Sequence, residues 1–259
     1  MLSGPLVPLS TVSRPTVNAP HAILFDKDGT LVDFDRTWGP AAGAVMRHFA
    51  GDDDAVLERL HLVSHYLPDQ RRFLQTSPLI AGSSRQYGPL WADVLARPAD
   101  AAFFEEMDEL FREEGTRCLT PIGRPAEALG RLHARGLPLG IATNDAEPSA
   151  RLQAARLGLN PYLSAIYGHD SGYGSKPAPG MILAFSRLTG LPTPSIALVG
   201  DTRHDLDTAR AAGAMAILVR CGPTPVDPFA HEADLVVDSV EDLADLFAGV
   251  SAPVAGELA

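Results

Sequence analysis

A chain of 259 residues, 46% apolar and 20% charged, is large enough to bury the core of one large domain or two small ones. Its formal net charge of −11 argues against a nucleic-acid partner or an anionic membrane surface, because both require clustered Lys and Arg. The two cysteines, Cys118 and Cys221, have no metal-ligand spacing, so a zinc site or disulfide framework is not expected, and no apolar run approaches the ~18 residues of a membrane helix.

Residues 1–20 are rich in Pro, Ser and Thr and lack acidic residues. They read as a disordered lead-in, with a targeting segment as the other reading. Ala22-Ile23-Leu24-Phe25 is an unbroken apolar run closed by Asp26-Lys27-Asp28-Gly29-Thr30, the pattern of a buried strand ending in a turn. Two carboxylates at i and i+2 then sit at the carboxyl end of a central strand, the edge where open α/β sheets bind ligands. Like charges held this close call for a cation or a shared proton. Lys27 is expected to point away from both acids, either into a salt bridge or as a charge at the entrance of a cleft.

Residues 34–118 show no strand pattern. Val56, Leu57, Leu60 and Val63 recur at helical spacing, as do Phe103, Phe104, Met107, Leu110 and Phe111. The segment reads as an all-helical insertion whose ends, near Asp33–Asp35 and Cys118–Pro121, lie close together. Its Arg71, Arg72 and Arg85 are either a solvated face or contacts to a second anionic group of a substrate.

From residue 119 to 248 strand and helix alternate. Strands are expected at 137–142, 165–167, 196–199, 216–219 and 235–237, with helices at 124–135, 147–158, 179–189, 204–212 and 240–247. Apolar strands alternating with helices imply a doubly wound, Rossmann-like α/β core with a parallel sheet, here 21–33 with 119–248. Residues 249–259 read as a loose tail.

Three further signals fall at strand ends or helix starts: Thr143-Asn144-Asp145, Lys176 within Gly174-Ser175-Lys176-Pro177, and Gly200-Asp201-Thr202-Arg203-His204-Asp205. Taken singly, each has an ordinary structural use. Asp26 could form a turn, Thr143 could cap a helix, Lys176 could be a surface charge, and Asp205 could favour a helix N-terminus. Together they assemble carboxylates, a hydroxyl and an ammonium at one sheet edge, a set suited to a divalent cation and a phosphoryl group. His204 reads as solvated.

In this order the motifs resemble the haloacid dehalogenase-like phosphohydrolases, over roughly residues 20–245, with the helical stretch resembling that family's cap. The resemblance implies a Mg2+-dependent phosphatase acting on a small phosphorylated metabolite; the two cysteines read as reduced intracellular thiols, so a cytoplasmic location is expected. Asp26 would be the nucleophile that forms an aspartyl-phosphate, and Asp28 the general acid and base. Gly29, Thr143, Asn144 and Lys176 would bind the phosphoryl group. Asp26, Asp28 through its main-chain carbonyl, Asp201 and Asp205 would hold the metal. The dehalogenases lack the second acid, so Asp28 favours an oxygen leaving group. A phosphomutase or phosphotransferase with the same intermediate, and a non-catalytic binding protein on the same fold, are the alternatives. The sequence leaves the oligomeric state open.

Overall fold

A computed structural model describes residues 19–80 and 82–248. The expected lead-in, apart from Ala19 and Pro20, and the expected tail lie outside the described residues. The chain opens with β1 (Ala22–Phe25) and passes into α1 (Phe34–Ala50) and α2 (Asp54–Val63). A short hairpin of β2 (Tyr66–Leu67) and β3 (Arg72–Phe73) follows, then α3 (Ser84–Val94) and α4 (Ala101–Arg117). After α5 (Pro125–His133) the alternation begins: β4 (Leu139–Ala142), α6 (Glu147–Arg156), β5 (Leu163–Tyr167), α7 (Gly180–Thr189), β6 (Ile196–Gly200), α8 (Arg203–Ala212), β7 (Met215–Val219), β8 (Leu235–Val237) and α9 (Val240–Ala248).

Six strands form one parallel sheet in the order β5-β4-β1-β6-β7-β8, the doubly wound arrangement expected. β1 is central, between β4 and β6, with Phe25 opposite Ile141 on one side and Val199 on the other. Its four residues are wholly buried because both faces are covered. Successive side chains on a strand point to opposite faces. Ile23 and Phe25 accordingly join Leu129 and Leu132 of α5 and Leu243 and Phe247 of α9. Ala22 and Leu24 join Met181 and Phe185 of α7 and Leu206 of α8.

Element limits follow local chemistry. The strand expected from 137 starts at Leu139, because Pro138 has no N–H for a ladder, although its carbonyl still accepts from Ile23 N at 3.0 Å. The helix expected to reach 158 ends at Arg156. Asp33, Asp53 and Asp100 cap α1, α2 and α4, each accepting from the backbone N–H three residues on.

The segment after β1 packs its own apolar cluster, in which Trp38, Met46, Trp91, Phe103, Met107 and Phe111 are buried. It leaves and rejoins the sheet at one place: Asp33 N donates to Thr120 O at 2.8 Å and Ile122 N to Leu31 O at 3.0 Å. The sequence shows no strand here, and the structure adds the two-residue hairpin. Its pairing is too short to display alternation, and it is fixed by packing of Tyr66 on Phe73, with ring centroids 5.3 Å apart. No helix among the described residues is long and apolar enough to cross a membrane.

Candidate active site

Because β1, β4 and β6 are neighbours, their carboxyl ends bring Asp26, Thr143 and Asp201 together. Asp26 N donates to Val199 O at 2.7 Å, extending the β1–β6 ladder by one bond. The chain then turns sharply, and Lys27 O accepts from Leu31 N at 2.8 Å and Val32 N at 2.9 Å. Gly29 sits in this turn at φ +85°, and a Cβ there would fall 2.2 Å from Asp201 Oδ2. Both the backbone and the close approach therefore require glycine. The Gly29 N–H donates to Val32 O at 2.8 Å and so helps hold the turn.

Lys176 enters from the loop before α7, buried to 3% exposure. Its Nζ stands 2.7 Å from Asp26 Oδ1 and 2.6 Å from Asp205 Oδ1. The Asp205 Oδ2 accepts from Thr202 N at 3.0 Å and from Thr202 Oγ1 at 2.6 Å, the reciprocal cap that starts α8. Asn144 clamps the main chain of Lys176, accepting from its N–H at 2.8 Å and donating to its carbonyl at 3.1 Å. The Asn144 side chain therefore positions Lys176. Thr143 is buried, and its hydroxyl accepts from Asp145 N at 3.1 Å.

Asp26, Asp201 and Asp205 offer ligand oxygens that all lie within 4.8 Å of one another. Burial, working against the attraction of Lys176 and with the repulsion of Asp205 and Asp28, pushes the Asp26 carboxyl up to about 7. Burial first, then Asp26 and Asp205, raises Asp201 as well. Thr30 Oγ1 donates to Asp201 Oδ1 at 3.0 Å, but Oδ2 has no hydrogen-bond partner. The Gly29 and Gly222 backbones close around that oxygen, where a Cβ would come within 2.2 and 2.0 Å. An orphaned carboxylate oxygen among crowded carboxylates suits a small hard cation with oxygen ligands. Asp205, with both oxygens already engaged, fits behind such an ion better than against it.

Lys27 departs from expectation. It is 1% exposed and turns back toward its neighbour, with Nζ 2.8 Å from Asp28. The same ammonium meets Asp145 Oδ2 at 3.1 Å and donates to Gln153 Oε1 at 2.7 Å, and it lies 5.0 Å from the centre of the Trp38 ring. The salt-bridge reading holds and the outward direction is corrected, because the tight turn at 27–32 swings Asp28 to the same side. Burial pulls the Lys27 ammonium down, but Asp28 and Asp145 outweigh it and raise its pKa. Trp38 Nε1 donates to Asp28 Oδ1 at 2.5 Å, so a side chain of α1 fixes the second acid of the motif.

These groups face a cleft of about 720 Å³ that merges with solvent between the sheet edge and the helical segment. Asp26, Asp28, Thr143, Asn144 and Lys176 line it from the sheet edge. Phe34, Trp38, Tyr87, Asp108 and Phe111 line it from the helical segment. Asp201 and Asp205 lie beneath, fully buried. His204 lines the cleft too, half-buried rather than solvated. Sequence reasoning missed Trp38, Asp108, Gln153 and His169. Asp145, adjacent to Thr143-Asn144, carried the one available signal, a carboxylate at a strand end.

A family model described as haloacid dehalogenase-like hydrolase matches residues 20–213. A phosphoglycolate phosphatase of Chromobacterium violaceum is 32% identical over 225 residues, covering 87% of this chain and 95% of the relative. A phosphoglycolate phosphatase of Salmonella typhi is 33% identical over 234 residues, covering 86% and 90%. The solved structure of CbbY from Rhodobacter sphaeroides in complex with phosphate superposes with a TM-score of 0.62 at 18% identity, covering 86% of this chain and 96% of that one, a likeness of fold.

Two outcomes test the electrostatics. Lys27→Met strands two buried carboxylates and should cost about 3–5 kcal/mol in urea denaturation, with part of it restored by adding Asp145→Asn. Millimolar Mg2+ should raise the melting temperature over that in EDTA, and Asp201→Asn should remove the rise, as read by differential scanning calorimetry.

Proposed function

The chain belongs to the haloacid dehalogenase-like hydrolases, and from this we propose that it is a Mg2+-dependent phosphatase hydrolysing the phosphomonoester of a small metabolite. The observation that carries the proposal is the buried Lys176 ammonium shared by Asp26 and Asp205, beside an Asp201 oxygen with no partner. A stable ion-pair network would leave no such oxygen and would not aim a second acid, Asp28, into a cleft. The relatives named phosphoglycolate phosphatase support the reaction class.

In this reading Asp26 attacks phosphorus. Its Oδ1 already takes Lys176 Nζ at 2.7 Å and Lys27 N at 2.7 Å, so Oδ2 is the attacking oxygen. As the Asp26 O–P bond forms, the P–O bond to the leaving alcohol breaks, and Asp28 gives its proton to that alkoxide oxygen. Asp28, now a carboxylate, takes a proton from the water that attacks the aspartyl-phosphate, and Asp26 leaves. Lys176 offsets charge on the phosphoryl oxygens, and Thr143 lies at the same edge to hydrogen-bond them. Asp26, Asp201 and the Asp28 carbonyl would hold Mg2+, with Asp205 through water or by steadying Lys176. The bound ion supplies positive charge to the phosphoryl oxygens.

The segment 34–118 serves as a cap over the cleft, and its aromatic wall excludes bulk water from the reacting groups. The net charge of −11 fits a cytoplasmic enzyme whose partner is a small molecule rather than nucleic acid.

The test is phosphate release from a broad phosphomonoester panel. Activity should appear with Mg2+ and vanish with EDTA, and Asp26→Asn should reduce turnover by roughly 10⁴-fold or more without loss of fold. Turnover retained by that variant would remove Asp26 as the nucleophile. Asp28→Asn should lower kcat/KM, which reports formation of the aspartyl-phosphate, by roughly 10²–10⁴-fold for alkyl phosphates but far less for p-nitrophenyl phosphate, since that leaving group needs no proton, while loss of the base slows kcat on both. Equal losses of kcat/KM on both would deny Asp28 its role as acid.

A further inference from the structure

The wall of the cleft away from Lys176 carries charge that the phosphoryl chemistry does not use. Asp108 of α4 and Asp145 lie close enough to feel each other's charge, and the Ser84 hydroxyl of α3 stands beside Asp108. His169, in the loop after β5, reaches the same place with its side chain 5% exposed. Its Nε2 is 3.9 Å from Asp108 Oδ2, beyond hydrogen-bond range, and has no hydrogen-bond partner. A buried imidazole nitrogen facing a carboxylate across that gap, on the lining of a cleft, is a position for a ligand group.

The charge balance says which group. The cleft is lined by the carboxylates of Asp26, Asp28, Asp108 and Asp145, and Lys176 is its one lysine. That ammonium is already shared by Asp26 and Asp205, and Lys27, behind the wall, is taken by Asp28 and Asp145. No arginine lines the cleft among the described residues. Arg85 lies over the Phe104 ring, outside the lining but near enough for its charge to act on Asp108, and Arg72 donates to Gln70. A His169 cation would be held by Asp108. Among the described residues, a second anionic group on a substrate would meet the Asp108 and Asp145 carboxylates and an aromatic wall at this end of the cleft, while both lysine ammoniums are already held by carboxylates.

We propose that the alcohol portion of the substrate carries hydrogen-bond donors, hydroxyl or ammonium, and no second anion, and that Asp108 and His169 recognise it. This rests on the phosphatase reading. A carboxylate accepts from either donor, and the imidazole nitrogen donates to or accepts from a hydroxyl, so the pair brackets such a group while the phosphoryl end sits at Lys176. The aromatic side chains around the pair fit the carbon skeleton of an alcohol. The substrate would thus differ in class from the phosphoglycolate named for the relatives.

The experiment compares kcat/KM for phosphoglycolate, for glycerol 3-phosphate and a hexose 6-phosphate as hydroxyl donors, and for phosphoethanolamine as an ammonium donor. A donor-bearing ester should exceed phosphoglycolate by about tenfold or more, and which arm leads separates hydroxyl from ammonium recognition. Asp108→Asn should then raise KM for the preferred ester by about tenfold with kcat within about threefold, and leave phosphoglycolate unchanged or improved. His169→Gln supplies the same readout should the first variant fail to fold. Phosphoglycolate preferred over every donor-bearing ester, or an unchanged KM in a folded variant, overturns the inference and leaves the phosphatase reading standing. No phosphate from any ester removes the phosphatase reading, and this inference with it.

Discussion

Three buried carboxylates crowd one ammonium at the carboxyl edge of the sheet, and much of the molecule serves to hold them there. Left to themselves, Asp26, Asp201 and Asp205 would repel one another and draw water into the core. Lys176 meets two of them, and it is fixed in turn by the Asn144 clamp on its main chain. Thr30 and the Thr202 cap hold individual oxygens. What remains is an Asp201 oxygen with no partner and a raised Asp26, the residue of an arrangement tuned for a ligand rather than for stability.

The helical segment contributes by position. Its two crossings lie side by side at Asp33 and Thr120, so it returns to the strand edge from which it left. That places Trp38 within reach of Asp28, and Asp108 across the cleft from the sheet edge. The central strand and the first helix of the segment thus share one motif: the acids come from the strand end, and the donor that orients the second acid comes from the helix.

The core was legible because its signals are local. An apolar run such as Ala22–Phe25 states its own burial, and the motifs at 26–30, 143–145, 176 and 200–205 each announce a strand end or a helix start. Limits shifted where one residue overruled a pattern, as Pro138 did for β4. Reading failed where meaning depends on partners distant in sequence. Lys27 meets Gln153 across 126 residues, and nothing near either position says so. The sequence does not show that the Gly29 N–H holds the turn through Val32 O, or that the Asn144 side chain clamps the main chain of Lys176, 32 residues away. Asp108 and His169 come from different elements and meet only when the chain is folded.

The buried Lys27 also bears on how such a sequence can diverge. A charge so enclosed ties position 27 to positions 145 and 153, because an apolar residue at 27 takes the cation from Asp145 Oδ2 and the donor from Gln153 Oε1. Lineages that drift at one of the three are therefore expected to drift at the others. The first motif, compact in sequence, is in this way bound to a stretch of α6.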